Sequence, residues 1–526
     1  MKFKSKLANI EINEQFEQAL ELMEVTSKNV FITGKAGTGK STLLEYFRSI
    51  TNKKIVVLAP TGVAALNVQG QTIHSFFGFK PDITLEKVRK KYRKNDKENI
   101  YKKLDAIVID EISMVRADLL DCVDKFLRLN SKNKNQPFGG KQMIFIGDLY
   151  QLSPVVMSKE REIFKNIYKS EYFFDAKAFK VSNLAMEFIE LEKIYRQKDE
   201  KFINLLNSIR NNSITEKELE NINQCLKPNF QEKADDFYIC LTPTNKASQL
   251  INEQKLTSLK GKLYKCRGIT RGDFKKEYLP TEIDLNLKTG AQVMLLNNDP
   301  AKRWINGTIG KIVKIKKDQE TGFNVIFVKI ANGQIEAILP HTWEIFNFTL
   351  NKQGIINSEV IGSFTQYPLK LAWSVTIHKS QGKTFDKVII DIGKGTFTYG
   401  QVYVALSRCT RLDGIVLKKK IFKKHIWMDW RVVKFITQYQ YKISENNLSL
   451  DNKVTIIKQA ITNKAKLNIV YLKANDIKSK RIIKPDFVGK MEYQGKPFLG
   501  VAALCLTRGE SRIFRVDRIL KMEIMK

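Results

Sequence analysis

One octapeptide constrains this chain more than any other feature: Gly34-Lys35-Ala36-Gly37-Thr38-Gly39-Lys40-Ser41. It fits GxxxxGK[ST], follows the apolar run VFIT and precedes the helical pattern STLLEYF, which is the strand–loop–helix context a phosphate loop requires. Glycines there let backbone N–H groups wrap a polyphosphate. Lys40 reaches the β- and γ-phosphates, Ser41 ligates Mg²⁺, and the helix N-terminus favours negative charge. Gly34, Ala36, Gly37, Thr38, Gly39, Lys40, Ser41 and Thr42 are therefore the predicted ATP-binding residues. Such a loop needs a parallel sheet to hold it. Val30–Ile32, Ile55–Leu58, Ala106–Ile109, Met143–Ile146 and Val388–Ile390 read as buried strands, most followed by a Gly or acidic turn and a helical pattern. Residues 11–27 carry Ile12, Phe16, Ala19, Leu20 and Met23 at helical spacing ahead of the first strand.

Asp110-Glu111 closes the apolar run AIVI. An acid at that strand end can hold Mg²⁺ through water, and a second can orient an attacking water, so Ser41 and Asp110 form the expected metal site. The chain has 89 Lys+Arg against 55 Asp+Glu, a net charge of +34. A field of that sign attracts a polyanion, of which nucleic acid is the commonest; a solubility effect or a Lys-rich composition is the bland alternative. Cys122, Cys225, Cys240, Cys266, Cys409 and Cys505 show no CxxC spacing and no clustering with histidine, which argues against a zinc site or a disulfide framework. The N-terminus lacks the apolar core of a signal peptide, and no apolar run approaches the ~20 residues of a membrane helix. The expectation is a soluble, cytoplasmic protein associated with a bacterial nucleoid.

Length suggests about three or four domains. Residues 86–103 are densely basic and read as a surface element. From about 283 to 345 the pattern turns β-rich, with Asn-Gly turns at Asn306-Gly307 and Asn332-Gly333, and suggests a small barrel. Residues 440–452 are polar and read as a linker, and the chain beyond them is again β-rich.

Three longer segments, APTGVAALNVQGQTIHSFF (59–77), PFGGKQMIFIGDLYQLSPV (137–155) and ELEKIYRQKDEKFINLLNSIR (190–210), occur in one order. Together they resemble the superfamily-1B helicases named for petite integration frequency, the Pif-one family, relatives of the RecD-type helicases. The likeness spans roughly residues 10 to 435. It implies two RecA-like P-loop domains: 1A over 1–185, with a wedge inserted at about 80–103, and 2A over 186–282 and 346–440, with an SH3-like β-barrel insertion at 283–345. It also implies site residues. Gln15 would read adenine. Gly147, Asp148 and Gln151 would couple the γ-phosphate to DNA. Arg196 and Arg408 would be arginine fingers, completing with Lys40, Asp110, Glu111 and Gln151 the catalytic set. Gly382 would lie at the nucleotide. Pro60, Thr61, Gly62, His74, Ser75, Phe76, Phe77, Thr376, His378 and Lys379 would face DNA, with one of the two phenylalanines expected to be packing, and Ser380 and Gln381 would lie at the same interface. One departure is visible, Ser153-Pro154 where the family has two prolines.

The implied activity is an ATP- and Mg²⁺-dependent 5′-to-3′ DNA helicase acting on single-stranded DNA and duplex junctions, with G-quadruplexes or RNA–DNA hybrids as further substrates. It would act as a monomer, with no membrane partner, in replication, repair, recombination or telomere maintenance. A translocase without duplex unwinding and a nucleotide-switched nucleic-acid-binding ATPase stay open. Residues 453–526 resemble WYL domains, small Sm/SH3-like β-barrels, although Pro497-Phe498-Leu499 stands where the eponymous residues would be. Arg481, Arg512 and Arg515, with Arg518 and the intervening Phe514, match the basic positions, which implies nucleic-acid or regulatory-ligand binding.

Overall fold

The computed structural model describes residues 12–80, 82–90, 99–156, 160–181, 185–233, 235–319, 322, 324–350, 356–393, 395–396 and 398–525. They form two compact units, one of residues up to Asn207 with Thr215–Trp427, the other of Ser208–Ile214 with the chain from Met428 onward.

In the first unit, β1 (Asn29–Gly34), β2 (Ile55–Ala59), β3 (Gln71–Thr72), β4 (Ala106–Ile109), β5 (Gln142–Ile146) and β6 (Met186–Leu191) form a sheet in the order β3-β2-β4-β5-β1-β6. Every junction is parallel. β4 and β5 are buried at each position, as expected of a sheet covered on both faces. The helix Glu14–Glu24 buries Phe16, Ala19, Leu20 and Met23, one stripe at helical spacing, in a core shared with Leu43, Leu44 and Phe47 of the helix Lys40–Ile50. Asn13 caps the first of these helices by accepting the Phe16 N–H at 2.9 Å.

A domain boundary at 185 does not hold. β6 pairs with β1 along its whole length, from Asn29↔Met186 to Gly34↔Leu191, so the first sheet continues to Leu191. The run MEFIEL suits an edge strand of either sheet; its pairing partner alone decides.

The second sheet is also parallel, in the order β18-β7-β19-β20, built from β7 (Ile239–Thr242), β18 (Ser374–Thr376), β19 (Val388–Ile390) and β20 (Ile415–Leu417). Between β7 and β18 lies a β-rich block. β11 (Gln292–Leu295), β12 (Ile309–Lys317), β13 (Asn324–Ile330), β14 (Ile335–Ile338) and β17 (Leu369–Leu371) make one antiparallel sheet. β15 (His341–Leu350) and β16 (Ile356–Gln366) form a hairpin against β9 (Ile269–Gly272), and β8 (Tyr264–Arg267) pairs with β10 (Asp284–Leu287). The predicted turn at Asn332-Gly333 joins β13 to β14, with Gly333 at φ +91°. The expected limits of 283 and 345 are too narrow. The block runs from Tyr264 to Leu371, because β17 returns to β11, Val293↔Leu371, instead of entering the parallel sheet. Of the expected wedge at 80–103, a short turn Leu85–Lys87 and the helix Ile100–Lys103 are seen, while 81 and 91–98 lie outside the described residues.

The second unit holds the helices Trp430–Asn447 and Leu450–Thr462 and a five-stranded antiparallel sheet. Its strands are β21 (Lys466–Leu472), β22 (Lys478–Tyr493), β23 (Lys496–Cys505), β24 (Glu510–Arg515) and β25 (Ile519–Met525), in the order β24-β23-β22-β21-β25. Ile457, Leu467, Ile469, Ile483, Val501 and Phe514 belong to its core. Residues 440–452 are not a linker, and the boundary at 440 falls inside a helix. Ser444 is buried, its hydroxyl 3.0 Å from the carbonyls of Ile519 and Leu520 and accepting from Lys453 Nζ at 2.8 Å, and Ser449 caps the next helix. Polar letters here are satisfied inside the unit.

Arg210 ends the helix Glu200–Arg210 and meets Asp476, in the β21–β22 turn, at 3.8 Å with both side chains buried. Asn475 Nδ2 donates to the Asn211 carbonyl beside them at 3.3 Å. Asp476→Ala removes the buried carboxylate that faces the Arg210 guanidinium and should destabilise this unit by about 3–5 kcal/mol. Site-resolved thiol labelling of buried Cys505 in urea checks this: the midpoint should fall, and an unmoved midpoint refutes it.

Candidate nucleotide and strand site

β1 ends at the phosphate loop, and Lys40 opens the helix that follows. Gly37 and Gly39 take φ +83° and +87°, the left-handed region that a glycine occupies without strain. Gly37 is also required sterically, since a Cβ there would lie 2.5 Å from the Arg196 Cβ. Tyr195 N–H donates to the Gly37 carbonyl at 2.8 Å, so the YRQ segment sits directly on the loop. Lys40 Nζ folds back on the carbonyls of Gly34 (2.7 Å) and Lys35 (3.0 Å), and Thr38 Oγ donates to Lys35 O at 3.0 Å. Ser41 and Thr42 are exposed on the first helical turn. Gln15 pairs reciprocally with Glu192, accepting its N–H at 3.1 Å and donating to its carboxylate at 3.3 Å. The next residue, Phe16, and Tyr195 both lie within 4 Å of the place a Gly39 Cβ would take, which sets Gln15 at the flank of the loop.

Charges converge behind it. Burial lowers the Lys40 ammonium, opposed by Asp148, Glu111 and Asp110. Burial raises both Asp110 and Glu111, the latter further through Asp110. Glu111 holds φ +49°, a conformation a non-glycine residue adopts only where its surroundings impose it. Ser41 and Asp110 offer only hard oxygen donors, and burial raises the acids more than Lys40 lowers them. That donor set suits Mg²⁺, which takes one or two protein oxygens and completes its shell with water and phosphate.

Asp148, Gln151 and the second sheet close the site. Gln151 Nε2 donates to Asp148 at 3.2 Å, and Gln381 Nε2 donates to Gln151 Oε1 at 3.1 Å. Gly147 leaves little room, as a Cβ would come within 3.0 Å of the Ile112 side chain. Arg196 donates to Ser407 O at 3.3 Å, and Gln197 to Ser407 O and Cys409 O. Arg408, 1% exposed, donates to the carbonyls of Val404, Ser380 and Lys383 and to Ser407 Oγ. Burial and then Arg196 push Arg408 down to about 9, while Glu111 and Asp148 oppose that shift. Arg196 follows the last strand of the first sheet and bridges to the second sheet through these bonds.

Two groups emerge that sequence reasoning missed. Tyr403 OH accepts the Ala36 N–H at 3.0 Å and donates to Asp148 at 3.4 Å, tying loop to acid. Its polar tip inside the apolar run VYVAL was the available signal. Lys383 Nζ donates to Asn306 Oδ1 at 2.7 Å, and Asn306 Nδ2 donates to Asn67 Oδ1 at 3.1 Å, a chain from the second sheet through the β-rich block to the first. Burial brings Lys383 down to about 8. Lys370 falls to about 7 by burial and by Lys383 and Lys379 beside it.

The strand-facing expectations divide. At the end of β2 Pro60 is half-buried and Thr61 exposed, and Thr61 caps a short helix beginning at Gly62, itself buried. Lys379 and Gly382 are exposed, and His378 and His74 are half-buried, with burial lowering the His378 pKa. Phe76 and Phe77 correct the expectation: both are core, packed with Tyr101, and Phe77 also with Phe126. Ser75, whose N–H bonds Thr72 Oγ, is half-exposed. Thr376 and Ser380 also turn inward, accepting from Lys379 N–H and donating to Ile377 O. In the second unit, Arg512 is paired with Glu510 at 2.7 Å. Arg515 is paired with Asp517 at 2.6 Å and stacks 5.6 Å from the Phe498 ring. Phe514 is core and does not lie between them on the surface. Arg481, Arg508 and Arg512 act together on Lys473, whose ammonium is lowered by burial and by all three.

A family model described as PIF1-like helicase matches residues 9–220, and one described as WYL domain matches residues 452–524. The ATP-dependent DNA helicase Pif1 of Bdellovibrio bacteriovorus is 32% identical over 419 residues, 78% of this chain and 88% of the relative. A crystal structure of Bacteroides Pif1 with ADP-AlF4 matches with a TM-score of 0.72 at 36% identity, covering 82% of this chain and 98% of that one. Bacteroides Pif1 with ADP-AlF3 and single-stranded DNA matches with a TM-score of 0.59 at 37% identity over the same shares.

Tyr403→Phe removes the hydroxyl that bonds Ala36 N–H and Asp148. Loss of a hydrogen bond to a charged group costs about 1.5–3 kcal/mol, so nucleoside triphosphate turnover should fall roughly tenfold to a hundredfold. Steady-state phosphate release measures this, and turnover within twofold of wild type would exclude the bridging role.

Proposed function

Because the chain belongs to the PIF1-like helicase family, we propose that it is an ATP-driven DNA helicase that moves 5′ to 3′ along a single strand and opens duplex at a junction. The observation that carries this reading is the relay Asp148–Gln151–Gln381, with links of 3.2 and 3.1 Å. Through Tyr403, which bonds both Asp148 and the Ala36 N–H, it joins the phosphate loop to the segment that presents His378 and Lys379, so a change at the γ-phosphate moves the strand-facing surface. A nucleotide switch has no need of that connection.

Two parallel-sheet domains hold ATP between them. The first, to Leu191, supplies Lys40, Ser41, Asp110 and Glu111, and the second supplies Arg408, with Arg196 between. Residues 264–371 are the SH3-like insertion, the basic element near 80–103 is the wedge, and the helix Leu450–Thr462 with its five strands is the Sm-like WYL module. Lys40 releases the loop carbonyls when phosphate oxygens replace them. Glu111, raised by burial, accepts a proton from the attacking water, and Gln151 positions that water. Ser41 and Asp110 would hold Mg²⁺, which would supply neutralising charge at the phosphates. Arg196 and Arg408 neutralise charge spreading over the γ-phosphoryl group, a contribution of about 10³- to 10⁵-fold in related hydrolases. They reach it only with the domains closed, so hydrolysis releases the closure, and alternating grip becomes a step. The Lys473, Arg481, Arg508 and Arg512 cluster of the WYL module gives the chain a further anion-binding surface. The work of such a motor lies in DNA replication, repair or recombination.

Lys40→Ala should abolish ATP turnover and keep most single-strand affinity, and Arg408→Ala should lower turnover by about 10³-fold or more. Near-normal turnover in either variant rejects that residue's role. Unwinding of duplexes bearing a 5′ or a 3′ tail, with ATP and Mg²⁺, tests the whole reading. Unwinding of the 5′-tailed duplex alone is expected; preference for the 3′ tail would reverse the polarity, and no unwinding of either would leave a translocase.

A further inference from the structure

All four strands of the second sheet run parallel, so their C-terminal ends share one edge. In open α/β sheets that edge is where ligands bind. β18 delivers His378 and Lys379 there. β20, three strand spacings or about 14 Å away, delivers Lys418–Trp427 to the same edge. That segment has five lysines in seven residues, Lys418 to Lys424, and no acid between Gly414 and Met428.

The segment is held firmly. Lys418 Nζ donates to Phe230 O at 2.6 Å, and Lys419 Nζ to Gly393 O. Ile421 is buried and exchanges two hydrogen bonds with the Asn223 side chain, at 2.8 and 2.9 Å. Thr396 Oγ donates to His425 O at 3.0 Å. Yet what it presents outward is aromatic and cationic. Phe422 is 45% exposed and Trp427 42%. Lys420 and Lys424 each place Nζ 5.6 Å from the Phe422 ring centroid, and Tyr399 meets Trp427 edge-on at 5.9 Å. Lys420, Lys423 and Lys424 are exposed.

Two exposed aromatic rings on a fixed backbone leave apolar surface that a ligand normally covers. Ammonium groups beside them select a ligand that offers flat faces and negative charge together. Single-stranded nucleic acid does, through unpaired bases and phosphates, whereas a duplex hides its base faces.

We propose that Lys418–Trp427 is a second single-strand contact, in which bases stack on Phe422 and Trp427 while Lys420, Lys423 and Lys424 neutralise the adjacent phosphates. It extends the track that begins at His378–Lys379, and it rests on the reading of this chain as a single-strand motor.

The test uses the full chain and fluorescent oligothymidylates of increasing length, with anisotropy across 50–300 mM salt, roughly the range over which counterion release is read. Phe422→Ala/Trp427→Ala should weaken binding to a long oligomer about 10-fold or more, since each base stacked on an aromatic contributes strongly. Lys420→Gln/Lys423→Gln/Lys424→Gln should reduce the slope of log K against log salt by about 2, at about 0.7 per phosphate neutralised on a single strand. ATP turnover at saturating strand should stay at the wild-type value in both variants, which separates this contact from the motor site. Wild-type affinity and slope in both variants overturn the proposal and leave the motor reading intact. Absence of any single-strand binding by the wild-type chain overturns both. Unchanged strand binding with lost binding to phosphatidylserine-containing vesicles assigns the patch to lipid and also overturns it.

Discussion

The bond on which the first unit depends is the 2.8 Å contact from Tyr195 N–H to the Gly37 carbonyl, made at a point where no Cβ fits. It lays the connection between the two parallel sheets across the phosphate loop. Tyr403, from a helix of the second sheet, reaches the same loop at Ala36. The loop is thereby both the nucleotide cradle and the seam of the motor.

The electrostatics follow from that seam. Lys40, Asp110, Glu111, Asp148, Arg196 and Arg408 are brought together, and burial works against the charge of Lys40, Asp110, Glu111, Arg196 and Arg408. A core built for stability alone would favour apolar residues of similar volume there. The cluster makes sense as a site prepared for a polyphosphate with its cation, the phosphates answering the lysine and arginines and the cation answering the acids. Arg408 illustrates the arrangement. Its guanidinium is held by three backbone carbonyls, so its position is fixed by the fold.

Polar relays connect the parts of the first unit. Asp148–Gln151–Gln381 runs from the acid beside Tyr403 to the segment that carries His378 and Lys379, and Lys383–Asn306–Asn67 runs from the second sheet through the β-rich block to the first. Their members are short or buried side chains with specific geometry. Hydrogen-bonded chains of this kind hold discrete arrangements better than apolar contacts do, which suits elements that alternate between grips.

Local sequence determined what depends on local sequence. The phosphate loop, the strands beside it, the acids at the end of β4 and the helix Glu14–Glu24 were legible because a glycine needing positive φ, a run of buried positions or a helical stripe is written within a few residues. The motif order carried the family. Tertiary structure alone decided the rest. MEFIEL joined the first sheet because β1 offered it an edge, and residues 346–371 stayed with the β-rich block because β11 did. SENNLSLDN became a helix end and a cap because Ser444 found carbonyls on β25. Phe76 and Phe77 turned inward because Tyr101 and Phe126, distant in sequence, complete an aromatic core around them. Tyr403 and Lys383 gained partners more than seventy residues away. Pairing, burial and long-range hydrogen bonds are choices among partners, and a partner's position is set by the folded chain, not by the residues that will meet it.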